Sequence, residues 1–102
     1  MATLQEVTDR VRATVGDNSG LDAKIKFKFA DHGTLYIDGK SHPNQVHNDD
    51  EDSDITISLS MDNFIRIIDK QLNPKLALMT GRMRLRGDIR IAMRLDKVFG
   101  LE

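Results

Sequence analysis

Cysteine is absent from this chain of 102 residues. Disulfides, thiolate nucleophiles and thiolate metal sites are thereby excluded together, and a reducing compartment permits this usage. Charge of one sign is lacking too. Lys and Arg number 15 against 16 Asp and Glu, a net charge of −1. No global field therefore draws the chain onto nucleic acid or an anionic surface, and such binding needs a local patch. No apolar run approaches the ~18 residues of a membrane span. The start, Met1-Ala2-Thr3-Leu4-Gln5-Glu6-Val7, has no basic segment leading into an apolar core, so no signal peptide is expected. The end, Gly100-Leu101-Glu102, is neither a peroxisomal nor an endoplasmic-reticulum address, and Leu101-Glu102 equally matches the scar of a cloning site. These absences lead to the expectation of a cytoplasmic protein.

What is present fits a soluble globular domain: 39% hydrophobic and 30% charged residues. The length suits one domain spanning residues 1–102. A chain of this size buries roughly 60–70% of its extended surface, so a large ligand cavity would use much of its single core.

Along the chain, Leu4, Val7, Val11 and Val15 recur at spacings of three and four, which predicts a helix. Thr3 and Glu6 form a capping box at its start, and Gly16, Asn18 and Gly20 end it. At Lys24 the period becomes two. Ile25, Phe27 and Phe29 alternate with Lys24, Lys26 and Lys28, a strand wet on one face. Asp31-His32-Gly33 turns the chain into a second strand with Leu35 and Ile37 on one side and Tyr36 on the other, and a hairpin joins the two. Residues 38–54, with the acidic run Asp49-Asp50-Glu51-Asp52, read as one long loop. Ile55, Ile57 and Leu59 mark a third strand. Ser60 caps the next helix, whose apolar face is Phe64, Ile65, Ile68 and Leu72 and which Asn73-Pro74 stops. A short helix over Lys75–Thr80 closes at Gly81. Met83 and Leu85 alternate with Arg82, Arg84 and Arg86 as a fourth strand, Gly87 breaks it, and Asp88 caps a last helix. There Arg90, Arg94 and Lys97 share a face opposite Ile91, Leu95, Val98 and Phe99. Strands grouped rather than alternating with helices indicate α+β, an antiparallel-rich sheet covered on one face by helices.

Sites for metal or catalysis are poorly supported. His32, His42 and His47 lie near carboxylates, but their spacing matches no metal motif, and no metal or other cofactor is expected. Asp50, Asp52 and Asp54 start like a calcium loop, yet Ile55 stands where the loop needs Gly and Met61 where it needs Glu. Arg86-Gly87-Asp88 is a strand-to-helix corner, not an adhesion motif. No nucleophile elbow and no phosphate-binding glycine loop occurs, so no catalytic residue is assigned and the chain is not expected to be an enzyme.

The run Leu76-Ala77-Leu78-Met79-Thr80-Gly81-Arg82-Met83-Arg84-Leu85-Arg86-Gly87-Asp88, followed by Ala92-Met93-Arg94-Leu95, resembles the signature region of the sterol-carrier-protein-2 (SCP2) family. Ile55 to Ser60 leading into Met61-Asp62-Asn63-Phe64, and Asp38-Gly39, also fit that family. The resemblance covers residues 20–99. It implies an SCP2-like α+β fold, a mixed, antiparallel-rich sheet of four to five strands with helices on one face around an apolar cavity. It implies a binder or carrier of fatty acid, fatty acyl-CoA, sterol-like or phospholipid ligands. Family members run longer at the C-terminus, so a lid there is expected to be short or absent.

On that resemblance, Phe27, Phe29, Ile57, Phe64, Ile68, Leu72, Leu76, Met79, Met83, Met93 and Phe99 are the candidate walls of a hydrophobic tunnel. Five methionines suit an adaptable wall. Apolar residues at helical or strand spacing are more often core than lining, and spacing cannot separate the two. Met79→Glu is the substitution expected to abolish binding. If the fourth strand pairs with the first, as the family fold implies, Lys24, Lys26, Lys28, Arg82, Arg84 and Arg86 share one sheet face. That face is a candidate for transient contact with an anionic membrane, or a solvated surface partly neutralised by the acidic loop. No nucleic-acid partner is expected. The alternative to a lipid carrier is an accessory or protein-interaction domain, homodimeric in one version, with no lipid cargo.

Overall fold

The computed structural model describes residues 2–101. Its elements are α1 (Leu4–Val15), β1 (Lys24–Phe29), β2 (Gly33–Asp38), β3 (Gln45–His47), β4 (Ile55–Leu59), α2 (Met61–Ile68), α3 (Pro74–Met79), β5 (Met83–Gly87) and α4 (Arg90–Val98). The five strands form one sheet in the order β3-β2-β1-β4-β5, with β1 and β4 parallel and every other pair antiparallel. The α+β class, the mixed sheet and the helical cover are as the sequence indicates.

Local chemistry explains the helix ends. The Thr3 hydroxyl accepts from Glu6 N at 3.1 Å and the Glu6 carboxylate accepts from Thr3 N at 3.3 Å, so two orphan amides are satisfied reciprocally. Val7, Val11 and Val15 are buried below the cap. Ser60 Oγ accepts from Asn63 N at 3.0 Å to start α2. Asn73-Pro74 behaves differently from expectation. α2 has already ended at Ile68, and Asn73 Oδ1 accepts from Lys75 N at 2.8 Å to cap α3, with Pro74 in its first turn. A proline lacks an N–H that the first turn does not need, so it starts this helix rather than stopping the previous one. Asp88 also acts one step off: its carboxylate accepts from Arg90 N at 3.1 Å and grips the Arg90 guanidinium, while Ile89 occupies the helical cap position.

Two further corrections concern the sheet. Residues 38–54 are not wholly loop, because Gln45–His47 pairs with Tyr36–Asp38 as the edge strand β3. With one apolar residue, Val46, it has too little pattern to be seen, and its extended form comes from its neighbour β2. The other correction is that β5 does not pair with β1. β4 lies between them, matching Lys26↔Thr56↔Arg86 and Lys28↔Ser58↔Arg84 across the sheet. Directly opposed like charges destabilise a strand pair. The neutral hydroxyls of Thr56 and Ser58 therefore separate two cationic strands by two strand spacings, roughly 9.6 Å.

Asp54 pins this arrangement. Its carboxylate accepts from Lys24 N at 2.8 Å, its own N–H donates to Lys24 O at 2.8 Å, and its carbonyl accepts from Asp88 N at 3.0 Å. The chain can approach it so closely because residue 87 is glycine. With φ +123°, a Cβ at Gly87 would lie 2.4 Å from Asp54 O and 2.9 Å from Ile55 Cα.

The core lies between the helices and the face bearing Ile25, Phe27, Phe29, Leu35, Ile37, Ile55, Ile57 and Leu59. α1 packs over the β2–β3 end, and α2 and α4 cover β1, β4 and β5. All four phenylalanines meet there: Phe64 has ring centroids 4.8 Å from Phe27, 5.3 Å from Phe29 and 6.2 Å from Phe99. Such offset and edge contacts add to area burial.

Candidate functional site: an apolar cavity beneath three helices

A cavity of about 150 Å³, partly open to solvent, separates β1, β4 and β5 from α2, α3 and α4. Its wall includes Phe27, Ile57, Phe64, Ile68, Met83 and Phe99, six of the residues singled out from sequence. The other five lie elsewhere. Phe29 is buried behind Phe64, and Leu72 is buried in the core. Leu76, Met79 and Met93 are on the surface, 51%, 82% and 69% exposed. Met79→Glu is therefore no test of the cavity.

The misplacements have a geometric cause. The run Leu76-Ala77-Leu78-Met79 is apolar on every side, so its composition cannot choose a face. In the fold Ala77 meets the core, Leu78 with Pro74 and Lys75 borders the cavity, and Leu76 and Met79 point away. On α4, Ile91 and Leu95 are buried, Ala92, Leu95 and Asp96 line the cavity, and Ile89 and Met93, four residues apart, face solvent. Several lining residues missed from sequence were legible in principle. Leu59 and Leu85 share a pleat side with Ile57 and Met83, and Ile67 lies three residues after Phe64 on one helix face. No pattern pointed to Lys75 and Asp96, the charged residues of the wall, or to Leu101.

The opposite sheet face is only partly a cationic surface. Lys26 Nζ lies 2.7 Å from Asp50, holding that carboxyl below its usual range through the hydrogen bond and the ammonium charge. Lys40 Nζ lies 3.6 Å from Asp54. Tyr36, facing this side, is nonetheless buried because residues 48–54 fold over it, and its hydroxyl donates to Asp52 O at 2.5 Å. Burial first, then the nearby carboxylates of Glu51, Asp38, Asp54 and Asp52, push its pKa up to about 12. Arg82, Arg84 and Arg86 have no carboxylate partner among the described residues. Arg90 pairs with Asp88 and the Arg94 guanidinium donates to Leu21 O at 2.9 Å, while Arg90, Arg94 and Lys97 all remain exposed.

Among the three histidines, His47 joins Asp49 and Glu51 in a cluster whose potential ligand atoms lie within 4.8 Å of one another. Its donor set fits a metal poorly. Nδ1 accepts from Asp49 N at 3.0 Å, which places the proton of a neutral ring on Nε2, 3.3 Å from Glu51. A metal on Nε2 would move that proton to Nδ1, against the Asp49 N–H. The ring instead stacks on Tyr36, centroids 4.9 Å apart.

Fold and site together define an α+β domain whose sheet and helices enclose a small apolar cavity. The chain belongs to the SCP-2 sterol transfer family, whose model matches residues 4–100. Its type is that of a lipid-binding or lipid-transfer domain. Among curated relatives it is 33% identical over 70 residues to hydroxysteroid dehydrogenase-like protein 2 of Mus musculus, an alignment covering 67% of this chain and 14% of that protein. The chain thus matches a small part of the length of such relatives. Among solved structures, sterol carrier protein 2 from Yarrowia lipolytica in its apo form superposes with TM-score 0.73 at 21% identity, covering 92% of this chain and 87% of that one. A palmitated SCP2L2 from Aedes aegypti gives TM-score 0.67 at 21% identity, covering 96% and 95%. These likenesses establish the fold. Among the described residues no helix is long and apolar enough to cross a membrane.

Proposed function

We propose that residues 1–102 act as a single, non-enzymatic domain that takes an acyl chain or comparable apolar group into the cavity beneath α2, α3 and α4, and carries it within the cytoplasm. The observation that carries this reading is the wall itself, which is apolar apart from Lys75 and Asp96 at its border. Binding pockets of this make-up orient a ligand with few polar contacts. Family membership supports the reading, as does the palmitated state of the Aedes aegypti neighbour. The absence of cysteine is consistent with a reducing compartment.

The cavity's size sets terms for the ligand. A dry cavity of about 150 Å³ holds benzene, so the present one accommodates a short stretch of chain. About six buried carbons give roughly 5 kcal/mol gross at ~0.8 kcal/mol per methylene. A fatty acid, fatty acyl-CoA, phospholipid or sterol-like molecule requires the walls to part. α3 is the element to yield: it spans Pro74–Met79, and its one fully buried residue is Ala77.

The test is displacement of a fluorescent fatty acid from Ala92→Phe and Met79→Glu variants. Ala92 borders the cavity, so a larger ring there fills it, and affinity should fall at least about tenfold for each two methylenes displaced. Met79→Glu should bind as the parent does. Normal binding by folded Ala92→Phe protein would place the ligand elsewhere. The exposed apolar residues of α3 and α4 favour a second reading, an interaction domain without cargo. A clean homodimer that binds no acyl probe would favour it.

A further inference from the structure

The large hydrophobic side chains exposed among the described residues fall in one stretch of sequence: Leu76, Leu78, Met79, Ile89 and Met93. Leu78 is on the border of the cavity, and the others belong to the same α3–β5–α4 unit. Charge is segregated in the same place. Residues 74–98 hold seven of the 15 Lys and Arg of the chain but only two of its 16 Asp and Glu. They carry a net +5 in a chain of net −1.

β5 is the edge strand of the sheet, which brings the two features together. Its alternate residues Arg84 and Arg86 are exposed on the face away from the helices, and Arg82, just before the strand, is exposed too. α3 packs against β5 from the other side. A planar surface meeting the molecule at this edge touches guanidinium groups from one face and apolar side chains of α3 and α4 from the other. Long, flexible arginine stems let their charged ends turn toward that plane.

We propose that the β5 edge, with the exposed sides of α3 and α4, docks onto an anionic lipid bilayer. An anionic headgroup layer meets the three unpartnered arginines, and the region beneath it receives Leu76, Met79, Ile89 and Met93. The charge balance selects this occupant. A second copy of the chain would set one +5 surface against another, a costly juxtaposition. The assignment differs from a contact through the whole sheet face, since Lys26 is already bound by Asp50 and shielded by the acidic loop. It does not depend on the identity of any cargo.

The test is flotation of the full chain with phosphatidylcholine vesicles, with and without phosphatidylglycerol, at low and physiological salt. Two paired variants alter the face at exposed positions: Met79→Glu with Met93→Glu, and Arg84→Glu with Arg86→Glu. Lys24→Glu, on β1 two strands from β5, is the control, and circular dichroism checks that each variant is folded. Expected are binding to phosphatidylglycerol vesicles that weakens with salt, and a loss of about tenfold or more in each pair with Lys24→Glu unchanged. Failure of the parent chain to bind overturns the proposal, as does a loss in Lys24→Glu equal to that of the arginine pair. A homodimer that Met79→Glu with Met93→Glu dissociates would also overturn it, because the face would then be covered by a second copy.

Discussion

Tyr36 is the single tyrosine, and the chain has no tryptophan, so its ionisation can be followed by phenolate absorbance without ambiguity of assignment. Its folded pKa is raised from 10.0 to about 12, mainly by burial. A group with a raised folded pKa contributes stability that is fully present below its unfolded value and lost as pH rises through the folded one. Here the window runs from pH 10 to about pH 12. Two units at 1.36 kcal/mol each amount to roughly 3 kcal/mol of folding stability lost across it. Tyr36→Phe removes the titration together with the hydrogen bond to Asp52 O. Below pH 10 the variant should be less stable by about 1 kcal/mol. Towards pH 12 the order should reverse, leaving it ahead by roughly 2 kcal/mol. Urea midpoints of the two proteins, followed by far-ultraviolet circular dichroism between pH 8 and pH 12, measure the crossing. Every other titrating group is common to both proteins, so the difference between them isolates Tyr36. A phenolate midpoint near pH 10 in protein that is still folded would refute the argument, because burial under residues 48–54 would then impose no penalty on the charged form.

Gly87→Ala should destabilise by roughly 3 kcal/mol or more, since it combines an unfavourable φ with a backbone clash at Asp54 and Ile55; a urea midpoint close to the parent's would show that the corner relaxes freely. Acid should loosen the loop over the sheet. The Asp50 carboxyl is held low by Lys26, so its contribution is present above the unfolded carboxylate range and is lost as pH falls through the folded value. Lys26→Met should flatten that acid limb as measured by thermal midpoints from pH 5 to pH 2, and an unchanged limb would remove the pair from the account. Leu35→Ala, at a fully buried site, should cost about 2–5 kcal/mol by urea unfolding. A loss below 1 kcal/mol would mean that the helices over the β2 side collapse readily into the vacancy.

The periodic parts of the fold were legible because one face of each element meets the core. The valines of α1, the alternation of β1 and the punctuation by Gly81 and Gly87 all report that demand. β3 was not, since three residues pairing with a neighbour carry no period of their own. The neighbour of β5 was also hidden: two strands with the same alternation offer no local clue to which one they join, and Thr56 and Ser58 matter only once β4 is known to lie between cations. The cavity was legible to the extent that strands define it. Phe27, Ile57 and Met83 follow from pleat direction, whereas the apolar run Leu76–Met79 satisfies a helix in any rotation. The choice of face is made by packing against β5, a long-range contact that spacing does not encode.

The same ambiguity on α3 connects the two proposals. α2 is held by Phe64 and Ile67 and α4 by Ile91 and Leu95, all buried, but α3 is held by Ala77, whose small side chain offers little area to resist displacement. The residue α3 gives to the cavity border, Leu78, is flanked by Leu76 and Met79, which face outward. An outward shift of α3 therefore exposes apolar surface in water, which opposes opening of the free protein. At a bilayer that surface is received by lipid and the opposition falls away. A ligand can shift a conformational equilibrium only by its differential affinity for the two states, and a membrane that binds Leu76 and Met79 more strongly when α3 has swung out has that property. Opening would then be coupled to docking, at the place where an apolar cargo has somewhere to go, and the cavity would remain small while the protein is in solution.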